Sequence, residues 1–362
     1  MPSDSMSHGP SLPITAERGT LQRAARWVAG VAAVGFLLLA ALSIWSLTTS
    51  RWQHAHNKVP GAFYSVDGRQ MHLYCSGEGR PTVVIEAGLG RDWLDWQGVQ
   101  TDLSRLTRVC TYDRSGLGWS EPRSGSRDAE TIARQLHSLL DQAKIPRPLV
   151  VAGHSGGGLY VREFAREYPD EVAAVVLIDS TSPNQFDGPG DFRASYREFL
   201  RDRRRRLLWE KVRAWSGLQR LTSHCKGRPP VNLANMSGQY DAEKCRPKYI
   251  GADLGEYVDL ETSAKQAGRL TTLGSKPLLI LSRDPDRRTD RMTPEDGNEL
   301  AAWDRDQEEL KSLSRTSRRV IARGSGHEIG HARPDVFLAE VSGLLTYLHG
   351  GDAPRFGITE TE

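Results

Sequence analysis

The stretch PLVVAGHSGGGLYVREFAREY (148–168) joins an apolar run, a glycine-rich turn and a helix-like segment, in that order. Within the turn, Ser155 follows Gly153 and precedes Gly156 and Gly157. A sharp strand-to-helix turn imposes strained backbone angles on its central residue, and flanking glycines let the neighbouring backbone pass without a clash. The Lys-Ser/Thr pair of a phosphate-binding loop is missing. The context therefore predicts that Ser155 is an exposed nucleophile.

Apolar runs rich in β-branched residues recur on both sides of this turn. They are TVVIEAG (82–88), RVCTYD (108–113), AAVVLIDS (173–180), PLLILS (277–282) and RRVIARG (318–324). Continuous runs of this kind suit strands buried on both faces of a parallel sheet, and helical stretches separate them. Two further runs flank Asp67-Gly68, which predicts a tight hairpin. The order of elements predicts a doubly wound α/β domain with a mostly parallel sheet.

One long segment interrupts this alternation. Residues 183–270 lack strand-like runs and carry charged sequence of helical character. Insertions of this kind between core strands often lie over a site as a lid. We therefore expect a helical lid at 183–270 and an α/β core formed by 61–182 and 271–350.

The N-terminal region contains the uncharged stretch VAGVAAVGFLLLAALSIWSL (28–47). About 20 such residues span the ~30 Å hydrocarbon core of a bilayer. We expect a disordered tail at 1–24, a transmembrane anchor at 25–47 and a linker at 48–60. Arginines before the stretch outnumber basic residues just after it, which favours a cytoplasmic N-terminus and an exported catalytic domain. The alternative is a signal peptide cleaved near Ala41-Leu42-Ser43, followed by secretion.

The proton acceptor for Ser155 is expected after the last core strand. RRVIARG leads into Ser325-Gly326-His327, a turn that presents an imidazole at the carboxyl edge of the sheet. His327 is favoured over His154 and His331 on this ground. The same residues match H-E-x-x-H, a zinc-protease motif that requires both histidines on one helical face. Glycines in and around HEIGH disfavour a helix there, so no metal is expected.

Two features of a serine–histidine site remain to be placed. An acid that orients His327 is expected on the loop after PLLILS, where Asp284 and Asp286 lie, and Asp179 at the end of AAVVLIDS is a further candidate. Backbone N–H groups for an oxyanion are expected at Gly156 and at Leu89, which lies in the small-residue turn after TVVIE.

Several ordered motifs together resemble the α/β-hydrolase superfamily across roughly residues 60–350. They are IEAGLG (85–90), YDRSGLGWS (112–120), GHSGGG (153–158), LLILSRDPD (278–286) and GSGH (324–327). The resemblance implies Ser155 as nucleophile, His327 as base, and Leu89 and Gly156 as oxyanion donors. It implies Asp286 as the acid, nine residues beyond Pro277. Arg283 stands where the family usually has glycine, so Asp284 and Asp179 stay open as alternatives. Dehalogenases and epoxide hydrolases of this superfamily carry aspartate at the nucleophile position, so serine argues against those chemistries.

Composition adds a few limits. A net charge of +3 and the lack of a basic recognition motif argue against a nucleic-acid partner. Cys225 and Cys245 share one polar segment and are the plausible disulfide partners by spacing if the chain is exported, with their pairing left open, whereas Cys110 is expected to be a buried thiol. Arginines at 201 and 203–206 precede Trp209 and Trp215, for which we prefer a solvated lid face over a helix on an anionic membrane.

These observations predict a serine hydrolase that cleaves a carboxylic ester, thioester or amide of a small-molecule substrate without a cofactor. The alternative from another class is a catalytically silent hydrolase-fold binding module at the membrane. A zinc metalloprotease is the least favoured interpretation, because it depends on the HEIGH match alone.

Overall fold

The computed structural model describes residues 15–186, 190–222, 239, 246–287, 294–352, 356 and 359–361. Its described strands form a nine-stranded sheet in the order β1-β2-β4-β3-β5-β6-β7-β8-β9. The strands are β1 Ala62–Val66, β2 Arg69–Ser76, β3 Thr82–Glu86, β4 Val109–Tyr112, β5 Leu149–His154, β6 Val172–Ile178, β7 Leu278–Arg283, β8 Ser317–Ala322 and β9 Thr359–Thr361. β2 pairs antiparallel with β1 and β4, and the other pairs are parallel. The prediction of a mostly parallel α/β sheet is confirmed.

Helices cover both faces of the sheet. The described α-helices are α1 Thr15–His56, α2 Gln97–Leu103, α3 Ala129–Gln142, α4 Gly157–Glu167, α5 Gly190–Trp215, α6 Leu218–Leu221, α7 Pro247–Ala267, α8 Pro294–Glu309, α9 Ile329–Ala332 and α10 Pro334–Leu348. Successive strand residues point to opposite faces, so Val84 packs with α3 and α4 whereas Val83 packs with α2 and α10. The core is therefore two apolar layers, which hold the strand ends in fixed register.

The β1–β2 hairpin and its pairing with β4 determine where the cysteines lie. Asp67 and Gly68 both have positive φ, 49° and 74°, as a two-residue hairpin turn requires. Cys75 in β2 lies directly opposite Cys110 in β4, and the two form a disulfide. The prediction of a buried thiol at Cys110 is therefore wrong, because antiparallel pairing brings together two cysteines that are far apart in sequence. Cys225 and Cys245 lie outside the described residues.

The segment between β6 and β7 contains α5, α6 and α7, at the place where the lid was expected. Leu260, Ala264 and Ala267 of α7 pack with Leu159 and Tyr160 of α4. Leu207 and Ala214 of α5 pack in turn on Ile250 of α7. The lid is thus a second helical layer, with α7 against the core and α5 outside it.

Helix α1 is continuous from Thr15 to His56, so it includes the last part of the expected tail and most of the expected linker. Its segment Thr20–His56 is long and apolar enough to cross a membrane, a test that a signal sequence would also meet. The C-terminal part of α1 contacts the lid. Arg220 of α6 donates to the Ser50 Oγ at 2.7 Å and to the Gln53 Oε1 at 3.0 Å.

Candidate active site

Ser155 lies in the turn between β5 and α4 and has a φ of +53°, in the left-handed region that L-residues rarely adopt. Its backbone N–H donates to the Ile178 carbonyl at 3.1 Å, and its carbonyl accepts from the Thr181 N–H at 3.0 Å. The end of β6 therefore holds this strained turn from one side. Gly153 is required by close approach, because a Cβ there would lie 2.6 Å from the Gly157 carbonyl oxygen.

His327 lies in the loop between β8 and α9 and contacts Ser155 directly. Its Nε2 is 2.9 Å from the Ser155 Oγ, and its Nδ1 is 2.6 Å from the Asp179 Oδ2. With the proton on Nδ1, the ring donates to the carboxylate and its Nε2 accepts from the serine hydroxyl. This tautomer suits a base that takes the serine proton.

Asp179 follows β6, is fully buried and has a φ of 42°. Its Oδ2 accepts from the Arg283 Nε at 2.6 Å, and its Oδ1 accepts from the Trp303 Nε1 at 2.8 Å. Burial alone would raise the pKa of this carboxyl, but the Arg283 guanidinium and His327 outweigh burial and lower the pKa. Asp179 is therefore ionised and able to stabilise a protonated imidazole.

The side chain of Arg283 lies beside the same imidazole. Its Nη2 is 2.8 Å from the His327 Nδ1, and its guanidinium carbon lies 4.4 Å from the centre of the Trp303 ring. Because Nδ1 already donates to Asp179, the approach of a second donor is a close contact rather than a hydrogen bond. Arg283 thus acts on His327 through Asp179, which it holds in place with its Nε.

Asp286 and Asp284, the acids on the β7 loop, contact Arg323 instead of His327. Asp286 is exposed and accepts from the Arg323 Nη1 at 2.7 Å. Asp284 accepts from the same nitrogen at 2.8 Å and from the Gly324 N–H at 2.9 Å. Of the three acids considered, the structure brings only Asp179 to the imidazole. The sequence carried a signal for this arrangement, since Arg283 replaces the usual glycine and pairs with Asp179.

His154 also contributes to the position of His327, a role that the sequence did not indicate. Its Nε2 donates to the His327 carbonyl oxygen at 2.9 Å. Burial, followed by the neighbouring His327, lowers the pKa of His154 to about 4. A neutral His154 therefore fixes the backbone of the residue whose ring reaches Ser155.

The HEIGH residues do not have the arrangement that a zinc protease needs. Helix α9 begins at Ile329, so His327 precedes it while His331 lies within it. Glu328 turns away to Arg91, whose Nη2 donates to its Oε1 at 2.9 Å. The two histidines therefore do not share one helical face, and His327 is already bound to Ser155 and Asp179.

The turn after β3 packs directly on the serine turn. A Cβ on Gly88 would lie 3.3 Å from the Ser155 Cβ, and a Cβ on Gly156 would lie 2.6 Å from the Leu89 Cγ. Gly156 also begins the first turn of α4, where backbone N–H groups have no carbonyl partner within the helix. The two predicted donors, Leu89 and Gly156, thus belong to backbone segments that touch each other beside the Ser155 side chain.

A buried arginine, Arg114, forms hydrogen bonds with both the turn after β3 and the lid. Arg114 donates to the Ala87 and Gly88 carbonyl oxygens at 2.8 and 2.7 Å and to the Glu256 carboxylate of α7 at 2.8 Å. Glu256 accepts in turn from the Gly90 N–H at 2.9 Å. Burial opposes ionisation of Glu256, but Arg114 lowers its pKa. The sequence did not predict this contact between Arg114 and Glu256, although Arg114 lies in the motif YDRSGLGWS.

Glu86 completes the buried cluster under the turn. Its carboxyl accepts from Arg114 at 2.5 Å and from the Tyr112 hydroxyl. Burial raises the pKa of Glu86 to about 7, although Arg114 opposes the shift. The cation of Arg114 is therefore shared by two carboxyls, of which Glu256 is the more strongly ionised.

A cavity of about 380 Å³ lies between the Leu89 turn and the lid. Its lining includes Leu89, Arg91, Arg203, Arg213, Gln219 and Tyr249. The cavity thus borders the predicted oxyanion turn on one side and α5 and α6 on the other.

Comparison with known proteins agrees with this architecture. Residues 81–334 match the family model described as alpha/beta hydrolase fold. An AB hydrolase superfamily protein of Gibberella zeae is 24% identical over 334 residues, covering 81% of this chain and 98% of that protein. Three other curated relatives are matched over 40%, 32% and 20% of their own length.

Solved structures share the fold at low sequence identity. A thermophilic esterase from Thermogutta terrifontis superposes with a TM-score of 0.56 at 20% identity, covering 80% of this chain and all of that one. The Cif epoxide hydrolase from Acinetobacter nosocomialis reaches 0.61 at 16% identity, covering 84% and 96%. The family model spans well over half of the sequence. The chain therefore belongs to the alpha/beta hydrolase family.

Proposed function

We propose that this protein is a serine hydrolase that cleaves a carboxylic ester, thioester or amide through an acyl-enzyme. The observation that carries the proposal is the hydrogen-bonded series Ser155 Oγ, His327 and Asp179, with atom separations of 2.9 and 2.6 Å. A buried, ionised carboxylate, a correctly oriented imidazole and a serine on a strained turn are the parts that acyl transfer requires.

In the proposed reaction, the Ser155 Oγ attacks the substrate carbonyl and its proton passes to the His327 Nε2. Asp179 stabilises the imidazolium, and the N–H groups of Leu89 and Gly156 bind the negative oxygen of the tetrahedral intermediate. The His327 Nε2 then donates its proton to the leaving alcohol, thiol or amine. A water molecule gives a proton to the same nitrogen and attacks the acyl-enzyme. The His327 Nε2 then returns that proton to the Ser155 Oγ as the acyl–oxygen bond breaks, which releases the acid and restores both residues.

Epoxide hydrolysis is disfavoured although structural neighbours include epoxide hydrolases. An aspartate nucleophile that opens an epoxide forms an ester, which water then hydrolyses. A serine nucleophile would form an alkyl ether, which the same His327 and water do not cleave. The serine at position 155 therefore supports carbonyl substrates.

The test is covalent labelling of the full chain with a fluorophosphonate, which requires an activated serine. We expect labelling of the wild type and its loss in Ser155→Ala. Ser120→Ala is the matched control, because the Ser120 hydroxyl is buried and donates to the Asp113 carbonyl away from His327. Folded wild-type protein that is not labelled would contradict the hydrolase proposal and favour a silent binding module.

We also propose that α1 is retained as a membrane anchor with the catalytic domain exported. Its apolar stretch is long enough to span a bilayer, and the Cys75–Cys110 disulfide suits an oxidising compartment. Extraction of membranes with alkaline carbonate is expected to leave the protein in the pellet. Protein at its full mass in the membrane fraction supports an anchor, whereas a soluble product shortened near Ser43 would support signal cleavage.

A further inference from the structure

Helix α5 of the lid has apolar side chains on two opposite faces. Leu200, Leu207 and Ala214 recur every seven residues and are buried. The other face, together with α6, exposes Leu208, Trp209, Val212, Trp215, Leu218 and Leu221, with exposed fractions of 40% to 69%. We call these six residues the lid patch. Contiguous exposed apolar residues, two of them tryptophans, indicate an interaction surface.

The lid patch lies next to the C-terminal end of the apolar stretch of α1. Gly217, between Trp215 and Leu218, packs so closely on α1 that a Cβ there would lie 2.6 Å from the Leu42 carbonyl oxygen. Leu42 precedes the end of the apolar stretch at Leu47 by about 8 Å at 1.5 Å per residue. The α5–α6 turn therefore contacts α1 about 8 Å inside the end of the apolar stretch, within the ~5–10 Å to which interfacial helices enter a bilayer.

The charges around the lid patch match an anionic lipid surface. Arg201, Arg205 and Arg206 are exposed on α5, one to two turns before Trp209. Asp202 pairs with Arg205, and Glu210 is partly buried at the cavity. Tryptophan and leucine beside arginine is the composition of helices that lie in the interface plane of a bilayer.

In place of the solvated lid face expected from the sequence, we infer that the lid patch docks into the headgroup–acyl boundary of the bilayer that α1 crosses, with anionic lipids around the α5 arginines. This inference rests on the anchor role proposed for α1. Arg213 of α5 and Gln219 of α6, which lie next to lid-patch residues in the sequence, line the cavity that borders Leu89. The cavity thus lies directly under the membrane-bound surface, and an amphiphilic ester is the substrate class that this position favours.

The test measures tryptophan quenching in the full chain, placed in nanodiscs of phosphatidylcholine and phosphatidylserine. The phosphatidylcholine carries bromine near the carbonyl end of its acyl chains. We expect Trp209→Phe/Trp215→Phe to lose a quenched component of the emission that the wild type shows. Trp93→Phe is the matched control, because Trp93 is fully buried and its loss removes only unquenched emission.

The remaining tryptophans separate this inference from the anchor proposal. Trp27 and Trp45 of α1 are exposed and report the anchor in every variant. If their quenching persists and the double variant leaves the quenched component unchanged, the lid inference is overturned while the anchor stands. If bromine quenches no emission at all, both fail.

A second measurement compares two substrates and depends on hydrolase activity. Trp209→Glu/Trp215→Glu is expected to reduce the rate on a membrane-dissolved ester on the order of tenfold, because buried apolar area at the interface is lost. The rate on a short water-soluble ester is expected to stay within about twofold, since neither tryptophan lines the cavity. Equal loss on both substrates would overturn the inference. If the wild type cleaves no ester, the hydrolase proposal fails while quenching still decides docking.

Discussion

Two buried carboxylates, each paired with an arginine, serve different sides of Ser155. Asp179 pairs with Arg283 and contacts the His327 ring, whereas Glu256 pairs with Arg114 and contacts the turn that carries Leu89. Both are fully buried, and both have a lowered pKa because their partners outweigh burial: Arg283 and His327 at Asp179, and mainly Arg114 at Glu256. The two carboxylates are similar in burial and charge, but they contact different groups. Asp179 contacts His327, the proposed base, whereas Glu256 holds the backbone of the Leu89 turn from the lid.

The comparison predicts its largest effect at Asp179. Asp179→Asn preserves the shape of the side chain but removes the charge that stabilises the imidazolium and selects its tautomer. We expect kcat on an activated ester to fall by about 10⁴-fold, as for loss of the acid in other serine–histidine sites. Steady-state kinetics measures the loss, and thermal unfolding checks that the variant is folded.

His154, which contacts the backbone of His327, should make the free energy of unfolding depend on pH. Its folded pKa of about 4 lies below the ordinary value of 6.5, so unfolded chains bind more protons between these pH values. The wild type should lose stability relative to His154→Gln as the pH falls from 6.5 to 4. The upper limit is about 3 kcal/mol, from 1.36 kcal/mol per pKa unit.

The measurement is the free energy of unfolding of both proteins in detergent across this pH range. Glu86, whose pKa is raised from 4.5 to about 7, has the opposite sign: its stabilising contribution is lost as the pH rises from 4.5 to about 7. Because both proteins contain Glu86, its contribution cancels in the difference. A difference that does not change with pH would contradict a buried neutral His154.

On the oxyanion side, Glu256→Gln should have a smaller effect than Asp179→Asn. The substituted amide retains an oxygen for the Gly90 N–H but no charge for Arg114, so the turn loosens. We expect kcat to fall about tenfold to a hundredfold while KM changes little, because oxyanion contacts strengthen in the transition state. Glu261→Gln is the control on the same helix, since Glu261 pairs with Arg197 and Lys265 and not with the Arg114 cluster. A change in KM alone would argue for substrate binding rather than positioning.

The smallest effect is expected at Asp286, which the family register favoured. Asp286→Asn breaks an exposed pair with Arg323 and should leave kcat within about twofold, because solvent screens such a pair and Asp286 does not contact His327. Parallel assays of Asp179→Asn and Asp286→Asn test the assignment of the acid directly. If Asp286→Asn caused the larger loss, the arrangement around His327 described above would not be the catalytic one.

Local sequence determined the features that depend on neighbours along the chain. The strand, turn and helix around Ser155, the Asp67-Gly68 hairpin and the apolar length of α1 all follow from residues within one segment. Steric limits on φ, hydrophobic burial and hydrogen bonding act there at short range. For the same reason, the sequence predicted that His327 lies in the turn that follows β8.

Only the tertiary structure decided which distant groups meet. Asp179 reaches His327 because β6 lies beside β5 and ends next to the serine turn, whereas the β7 loop directs Asp286 to Arg323. Cys75 meets Cys110 through strand pairing, and Arg114 meets Glu256 through the docking of α7. These contacts depend on sheet order and helix docking, which residues close in sequence do not encode. The sequence by itself thus specified the strand, turn and helix around Ser155, and the fold decided which charged groups surround that turn.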